Sequence, residues 1–465
     1  MLKIIASVND MVWGAPALVL ILGVGMYLTV RLRAVQICLF PEAFRLFVKQ
    51  ILPGKGSSSF RALCTALAAT VGTGNLVGVA GAICLGGPGA VFWMWVCGLL
   101  GMVTKYTEAL LAVRWRVKTD TGFAGGPMYI IRQALPGKFH GLACGYAAFG
   151  LLASFGVGNA TQINAALTGI RQACRAYRVE LSPLSNLLIT AILAGIIGLL
   201  LFGGAKAIGK AAEGLIPFAA AGYILLCLGV LGIHWRELPG AFVMIFRGAF
   251  SPRAVTGGLI GSAFRTLRVG CSRGVFTNEA GMGTASIAHA EADSVHPARQ
   301  GLMGIMEVFL DTVVICTMTA LVILTGGVEI PYGTEAGAEL TARALSAGLG
   351  RWVPGFLCAC LCLFAVATIL GWGLYAGRCA EFLLGGMNWK CFALCQGAAV
   401  ILGSVLDTGI VWTLSELMNA LMAVPNLITL FFLLPELRRL TIDYKLRGLR
   451  AVGGTYENFH QRKPL

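Results

Sequence analysis

Long apolar runs alternate with short polar, mostly basic segments along almost the whole chain. A run of about 20 apolar residues crosses the hydrocarbon core of a bilayer as a helix. The pattern predicts eleven such spans, roughly at 11–33, 59–84, 88–113, 145–170, 183–203, 211–233, 255–288, 300–325, 352–383, 392–407 and 412–435. A longer connection, 326–350, separates the eighth from the ninth. Two basic amphipathic stretches, near 125–140 and 235–252, read as interfacial. The first apolar run has no small-residue cleavage site behind a short apolar core, so it reads as a retained span and not a signal peptide.

Two spans interrupt their own pattern. From Ala69 to Ala90 the chain reads "ATVGTGNLVGVAGAICLGGPGA", with Thr70, Thr73 and Asn75 among glycines. From 272 to 290 it reads "SRGVFTNEAGMGTASIAHA", with Asn278, Glu279, Gly281, Gly283 and Thr284 between apolar flanks. In lipid, every backbone N–H and C=O must be satisfied within the protein, so irregular backbone persists only where it is buried or lines a cavity. Close helix packing through small residues explains Gly78, Gly81 and Gly86. It does not explain Asn75, Asn278 or Glu279, because a carboxylate deep in a span costs about 3 kcal/mol or more unless partnered. For Glu279 the structural alternatives are a place near the interface or a pairing with Arg273. Interrupted spans in matching positions of two halves point to an inverted-repeat transporter.

The predicted fold is all-α and polytopic. With the first span set aside, ten spans divide into two sets of five, each opening on a broken helix. The expected organisation is an extra N-terminal helix and connection (1–58), a first repeat (59–233), a second repeat (234–437) and a basic tail (438–465). At each break, free N–H groups of a half-helix would meet a carboxylate, and freed carbonyls would coordinate a cation.

Composition narrows the class. The chain is 12% charged, against about 25% for soluble domains, which excludes a soluble fold. The net charge of +15 implies no nucleic acid, since basic loops against an anionic leaflet account for it. Arg31, Arg33, Arg45, Lys49, Lys55 and Arg61 follow the first span; Arg114, Arg116, Lys118, Arg132 and Lys138 follow the third; Arg438, Arg439, Lys445, Arg447 and Arg450 follow the last. Eleven spans put all three groups on one side, which the positive-inside rule makes cytoplasmic, with the N-terminus outside and the C-terminus inside. Arg171, Arg175 and Arg178 fall on the opposite side, against the rule. The 15 cysteines show no zinc-type spacing and read as small buried apolar residues. Ser272, Ser286 and His289 share one segment, but no glycine-flanked nucleophile or second aspartate joins them, so an intramembrane protease lacks its parts.

With these residues in view, the chain resembles the alanine/glycine:cation symporter family, also called sodium:alanine symporters. The resemblance covers nearly the whole length. It is carried by "VGTGNLVGVA" (71–80), "GGPGAVFWMWVCGLLGMVTKYTEALLA" (86–112), "GGPMYII" (125–131), "FGVGNATQIN" (155–164), "SRGVFTNEAGMGTASIAHA" (272–290), "HPARQG" (296–301), "TMTALVILTGG" (317–327) and "LMAVPNLITL" (421–430). It implies a LeuT-like core of 5+5 helices plus one helix, in a multi-pass protein of the bacterial plasma membrane. The implied activity is import of alanine or glycine with Na+, or with H+ in some members. A degenerate relative that senses its ligand without coupled transport is a further alternative. No oligomer is implied.

The resemblance also implies residue roles. Backbone at Thr73, Gly74 and Asn75 should meet the substrate carboxylate. Gln162 should face the substrate, and an amide both donates and accepts, which suits either end of a zwitterion. Phe276, Asn278, Gly281 and Met282 should form the other wall, and Trp372 should cap the side-chain pocket and limit substrate size. For Na+, carbonyls of Ala68 and Val71 and the Thr368 hydroxyl match, oxygen being what a hard cation takes. Three positions depart from the family: Ala367 and Gly373 stand where serine is usual, and Gly377 where glutamate is usual. Asp311 is shared with the family and reads as a structural hydrogen-bonding group. Lys105, Tyr106 and Glu108 read as interfacial structure or an inner gate, with Lys105 and Glu108 an i,i+3 pair. His289 and His296 read as gating or capping residues.

Overall fold

The computed structural model describes residues 15–51, 58–119, 122–258, 262–294, 296–334, 337–386, 388–406 and 408–448. The first residues of the predicted first span and the end of the basic tail, with Arg450, lie outside them, as does Lys55. Almost every described element is helical. In chain order these are α1 (Ala15–Arg31), α2 (Phe40–Ile51), α3 (Ser58–Thr70), α4 (Val79–Gly86) and α5 (Gly89–Arg114). A hairpin of β1 (Val117–Thr119) and β2 (Gly122–Ala124) leads to α6 (Pro127–Ala134). Next come α7 (His140–Phe155), α8 (Thr161–Ala176), α9 (Pro183–Phe202), α10 (Gly204–Ile233) and α11 (Leu238–Phe250). Further along are α12 (Ala263–Asn278), α13 (Thr284–Ala288), α14 (Pro297–Val308), α15 (Thr317–Thr325), α16 (Ala338–Leu349), α17 (Val353–Leu384), α18 (Trp389–Gly403), α19 (Thr408–Phe432) and α20 (Leu434–Gly448), with single short helical turns at Val35–Cys38 and Pro252–Thr256.

Six of the described helical stretches are long and apolar enough to cross a membrane, or eight if each bent pair counts as one span. Helix α5 is the centre: 89% of its most apolar stretch is buried in the protein, against 22% for α9. The small residues along α5 let neighbours approach closely, while α9 shows the leucine and isoleucine face that a bilayer covers. The predicted interfacial stretches form the short helices α6 and α11.

The breaks fall where the glycines are. Helix α3 stops at Thr70, and after a wide π turn (Gly74–Gly78) α4 departs at 48°. Helix α12 stops at Asn278, and five residues separate it from α13. There Glu279, Gly281 and Gly283 take φ of 53°, 93° and 81°, a left-handed path that suits glycine and strains the glutamate. The sequence pattern did not reveal two further π segments. Gly156–Ala160 joins α7 to α8, and Phe309–Cys316 joins α14 to α15. Such bulges cluster at functional sites.

The three basic segments share one face. Arg114, ending α5, pairs with Glu436 of α20 at 2.9 Å. Tyr444 of α20 donates to Glu42 of α2. Tyr106 lies 3.0 Å from Thr441, hydroxyl to hydroxyl.

A candidate binding site at two broken helices

The first break is built by side chains replacing helix bonds. Gly72 N–H, the helical partner of the Ala68 carbonyl, donates instead to Asn75 Oδ1 at 2.8 Å. Asn75 N–H, which a regular helix would direct to the Val71 carbonyl, reaches Gly72 O at 3.3 Å. Both carbonyls are therefore released from the helical ladder. Thr368 of α17 meets this point: its Oγ1 lies 2.7 Å from where a Cβ on Gly72 would be. Among the described residues that buried hydroxyl has no hydrogen-bond partner. A buried unsatisfied hydroxyl costs about 1–3 kcal/mol, so an oxygen-seeking ligand between Thr368 and the freed carbonyls fits the donors present.

Beside it, Thr73 Oγ1 donates to Gln162 Oε1 at 2.9 Å. The Gln162 amide donates to Val157 O at 3.1 Å, inside the π turn that joins α7 to α8. Gly72 also faces Gln162, with Oε1 3.9 Å from the would-be Cβ. So α3, α8 and α17 converge on one glycine.

The second break touches the first. A Cβ on Gly74 would lie 3.3 Å from Thr277 Cγ2 and 3.7 Å from Phe276 Cδ1. Asn278 Oδ1 accepts from Ala280 N–H, and Met282 O accepts from Tyr146, both at 3.0 Å. Gly281 and Gly283 N–H donate to Glu108 Oε1 at 3.0 and 3.2 Å, and Asn426 of α19 bridges Glu108 Oε1 and Gly281 O. Glu108 thus braces the break through its main chain.

Asp311 joins the two breaks. Asn75 Nδ2 donates to Asp311 Oδ1 at 2.6 Å, Thr312 Oγ1 donates to Asp311 Oδ2 at 2.8 Å, and Asn278 Nδ2 donates to Thr312 Oγ1 at 3.2 Å. A hydrogen-bonded chain runs from Gly72 through Asn75, Asp311, Thr312 and Asn278 to Ala280. The π segment places Asp311 and Thr312 side by side toward both breaks.

All the candidate residues are buried: Ala68, Val71, Thr73, Gly74, Asn75, Gln162, Phe276, Asn278, Gly281, Met282, Thr368 and Trp372, and direct contacts join Thr73 to Gln162 and Gly74 to Phe276. Trp372 is wholly buried and belongs to no interfacial belt. Asn75 uses its side chain inside the fold, leaving only its backbone for a ligand. Glu279 is partnered by Thr284 and Trp372, not by Arg273. Lys105, Tyr106 and Glu108 are fully buried among protein side chains. Lys105 donates to Glu307 at 2.7 Å, so its ion pair is with α14 and not with Glu108 one turn away. His289 lies 3.2 Å from Glu307 and 2.7 Å from Gln300. His296 caps α14, its Nδ1 accepting from Ala298 N–H. Asn426, the bracing role of Glu108 and the hub role of Asp311 escaped the sequence reading. The one signal was a charged residue inside an apolar run, which shows burial but not the partner.

This architecture, two touching broken helices inside a helical bundle, defines a secondary transporter of LeuT-like fold. The solved structure of MhsT in complex with L-phenylalanine superimposes with a TM-score of 0.57, covering 82% of this chain and 97% of that one at 13% identity. The family model described as sodium:alanine symporter family matches residues 1–452, and the chain belongs to that family. It is 41% identical to the sodium/alanine symporter AgcS of Methanococcus maripaludis, over 93% of this chain and 94% of that protein. It is 36% identical to a Bacillus subtilis protein named "Probable sodium/glutamine symporter GlnT", over 92% and 88%. The chain is thus a multi-pass membrane transporter and not an enzyme.

Proposed function

We propose that this transporter imports a small neutral amino acid, alanine or glycine, together with Na+, by alternating access. The observation that carries the reading is the Thr368 hydroxyl, buried with no partner among the described residues, against Gly72, where the break frees two carbonyls. Na+ bound by Thr368, Ala68 and Val71 would satisfy all three. Backbone at Thr73, Gly74 and Asn75 would take the substrate carboxylate. Gln162, Phe276, Asn278, Gly281, Met282 and Trp372 would enclose the rest. Cation and substrate then share the first break, which couples their affinities. The repeats are taken as 59–233 and 234–437, rocking about the site. The shared basic face supports a cytoplasmic C-terminus and an outside N-terminus in a bacterial plasma membrane.

Ala367 supplies no second hydroxyl, so H+ is the alternative coupling ion. The test is radiolabelled L-alanine uptake into proteoliposomes, under an inward Na+ gradient and then a proton gradient without Na+. Glycine, D-alanine and leucine serve as competitors. Na+-driven accumulation is expected. Proton-driven accumulation alone would replace the ion, and alanine binding with no uptake under either gradient would favour a sensing relative.

A further inference from the structure

We propose that Glu279 is a positioning residue that sets the size limit on the carried amino acid by holding Trp372. The inference rests on the amino-acid site proposed above and deepens it. Glu279 is the only non-glycine residue among the described residues of the second break with positive φ, at 53°. A strained backbone of this kind persists where its surroundings over-determine it. Here they do. Its N–H donates to Val275 O at 2.8 Å, and its C=O accepts from Met282 N–H at 3.1 Å.

The side chain is 3% exposed and both oxygens are engaged. Trp372 Nε1–H donates to Oε1 at 2.9 Å, and Thr284 Oγ1 donates to Oε2 at 2.7 Å. One carboxylate therefore joins the end of α12, the start of α13 and the middle of α17. The base of Trp372 is fixed separately. It packs directly on Gly158, where any Cβ would overlap Trp372 Cβ. Tyr375 meets the ring edge-on, with centroids 5.6 Å apart. Gly158 holds the root of the indole and Glu279 holds its N–H, so the ring has one orientation. Thr368 lies one turn before Trp372 on the same face of α17. The wall and the candidate cation ligand are thus set on one rigid element.

The bond needs an acceptor, not a charge. Glutamine keeps an acceptor for Trp372 and can donate to the Thr284 hydroxyl, which accepts as well as donates. Alanine keeps neither contact. The experiment measures alanine binding and Na+-driven uptake by wild type, E279Q, E279A and W372F, with leucine as competitor. In E279A the alanine-over-leucine preference should fall about tenfold, the worth of one lost buried hydrogen bond. E279Q should stay within about twofold of wild type. W372F, which keeps a ring but loses the donor, should shift the preference the same way, and E279A/W372F should add little, as for two partners in one contact. An equal loss of alanine and leucine binding in E279A, with preference unchanged, overturns the proposal. So does E279Q behaving as E279A. Should E279A not fold, an unchanged preference in W372F decides against it. Wild type that takes no neutral amino acid removes the underlying reading instead, and is seen before any variant is compared.

Discussion

Replacing Thr368 by valine should strengthen the protein without sodium and shrink the further stabilisation that sodium adds. The opposite signs come from one hydroxyl. Oγ1 is buried with no partner among the described residues, and an unsatisfied group of that kind costs about 1–3 kcal/mol. Valine has nearly the same shape and no polar atom, so the sodium-free protein should gain up to that amount. The same change removes one of the oxygens proposed for Na+. A hydrogen-bond-strength contact to a charge is worth about 1.5–3 kcal/mol, which is about 10–150-fold in sodium affinity. The assay is thermal unfolding in detergent across a sodium titration, with uptake alongside. Wild type should gain about 2.7 kcal/mol at sodium one hundred times its dissociation constant, and Thr368→Val should lose about half of that gain or more. A wild-type sodium response in Thr368→Val, or a sodium-free unfolding temperature well below wild type, would refute the reasoning.

Four further outcomes follow from the geometry. Gly72→Ala places a methyl 2.7 Å from Thr368 Oγ1, so sodium-dependent uptake should fall more than tenfold, roughly the cost of about 1.4 kcal/mol, read from initial rates. Gln162→Ala removes the Thr73 partner and the amide facing the site, and alanine affinity by calorimetry should drop about tenfold or more; binding equal to wild type would remove Gln162 from the site. Asp311→Ala leaves Thr312 and Asn75 without their carboxylate, costing about 1–3 kcal/mol by thermal unfolding and lowering sodium and alanine affinity together. Gly377→Glu, which restores the residue usual in the family, should destabilise the protein by about 1–3 kcal/mol, because Trp389 lies 2.5 Å from the would-be Cβ, and Trp389→Ala should relieve part of that loss.

The all-helical class and both breaks were legible because the membrane enforces them, although six to eight described stretches, against eleven predicted spans, are long and apolar enough to cross. Apolar length gives the spans, and a glycine-rich interruption in lipid has few other uses. Thr368 and Gln162 came from motif resemblance, and their partners were not legible at all. Lys105 pairs with Glu307, 202 residues away, and not with Glu108 one turn away. Local spacing suggests the near pair, while the packing of α14 on α5 decides for the distant one. The π segments left no trace, because they depend on where Asp311 and Gln162 must point after folding. Asn75 shows the same limit from the other side. Its position at a break was readable, but not that its amide would be consumed in holding Gly72 and Asp311.

The cytoplasm-facing edge proposed for this chain is closed by its last described helix. Tyr444 of α20 bonds Glu42 across 402 residues. At roughly 5–20 residues per second, the segment after the first span waits about 20–80 s for that partner to be synthesised. Tyr106 and Arg114 wait on the same helix. Biogenesis is therefore two events: insertion of the spans in order, and a late fastening by the tail. A chain ending before α20 would enter the membrane with its polar inner edge unfastened, and quality control would meet it as an inserted but unfinished protein.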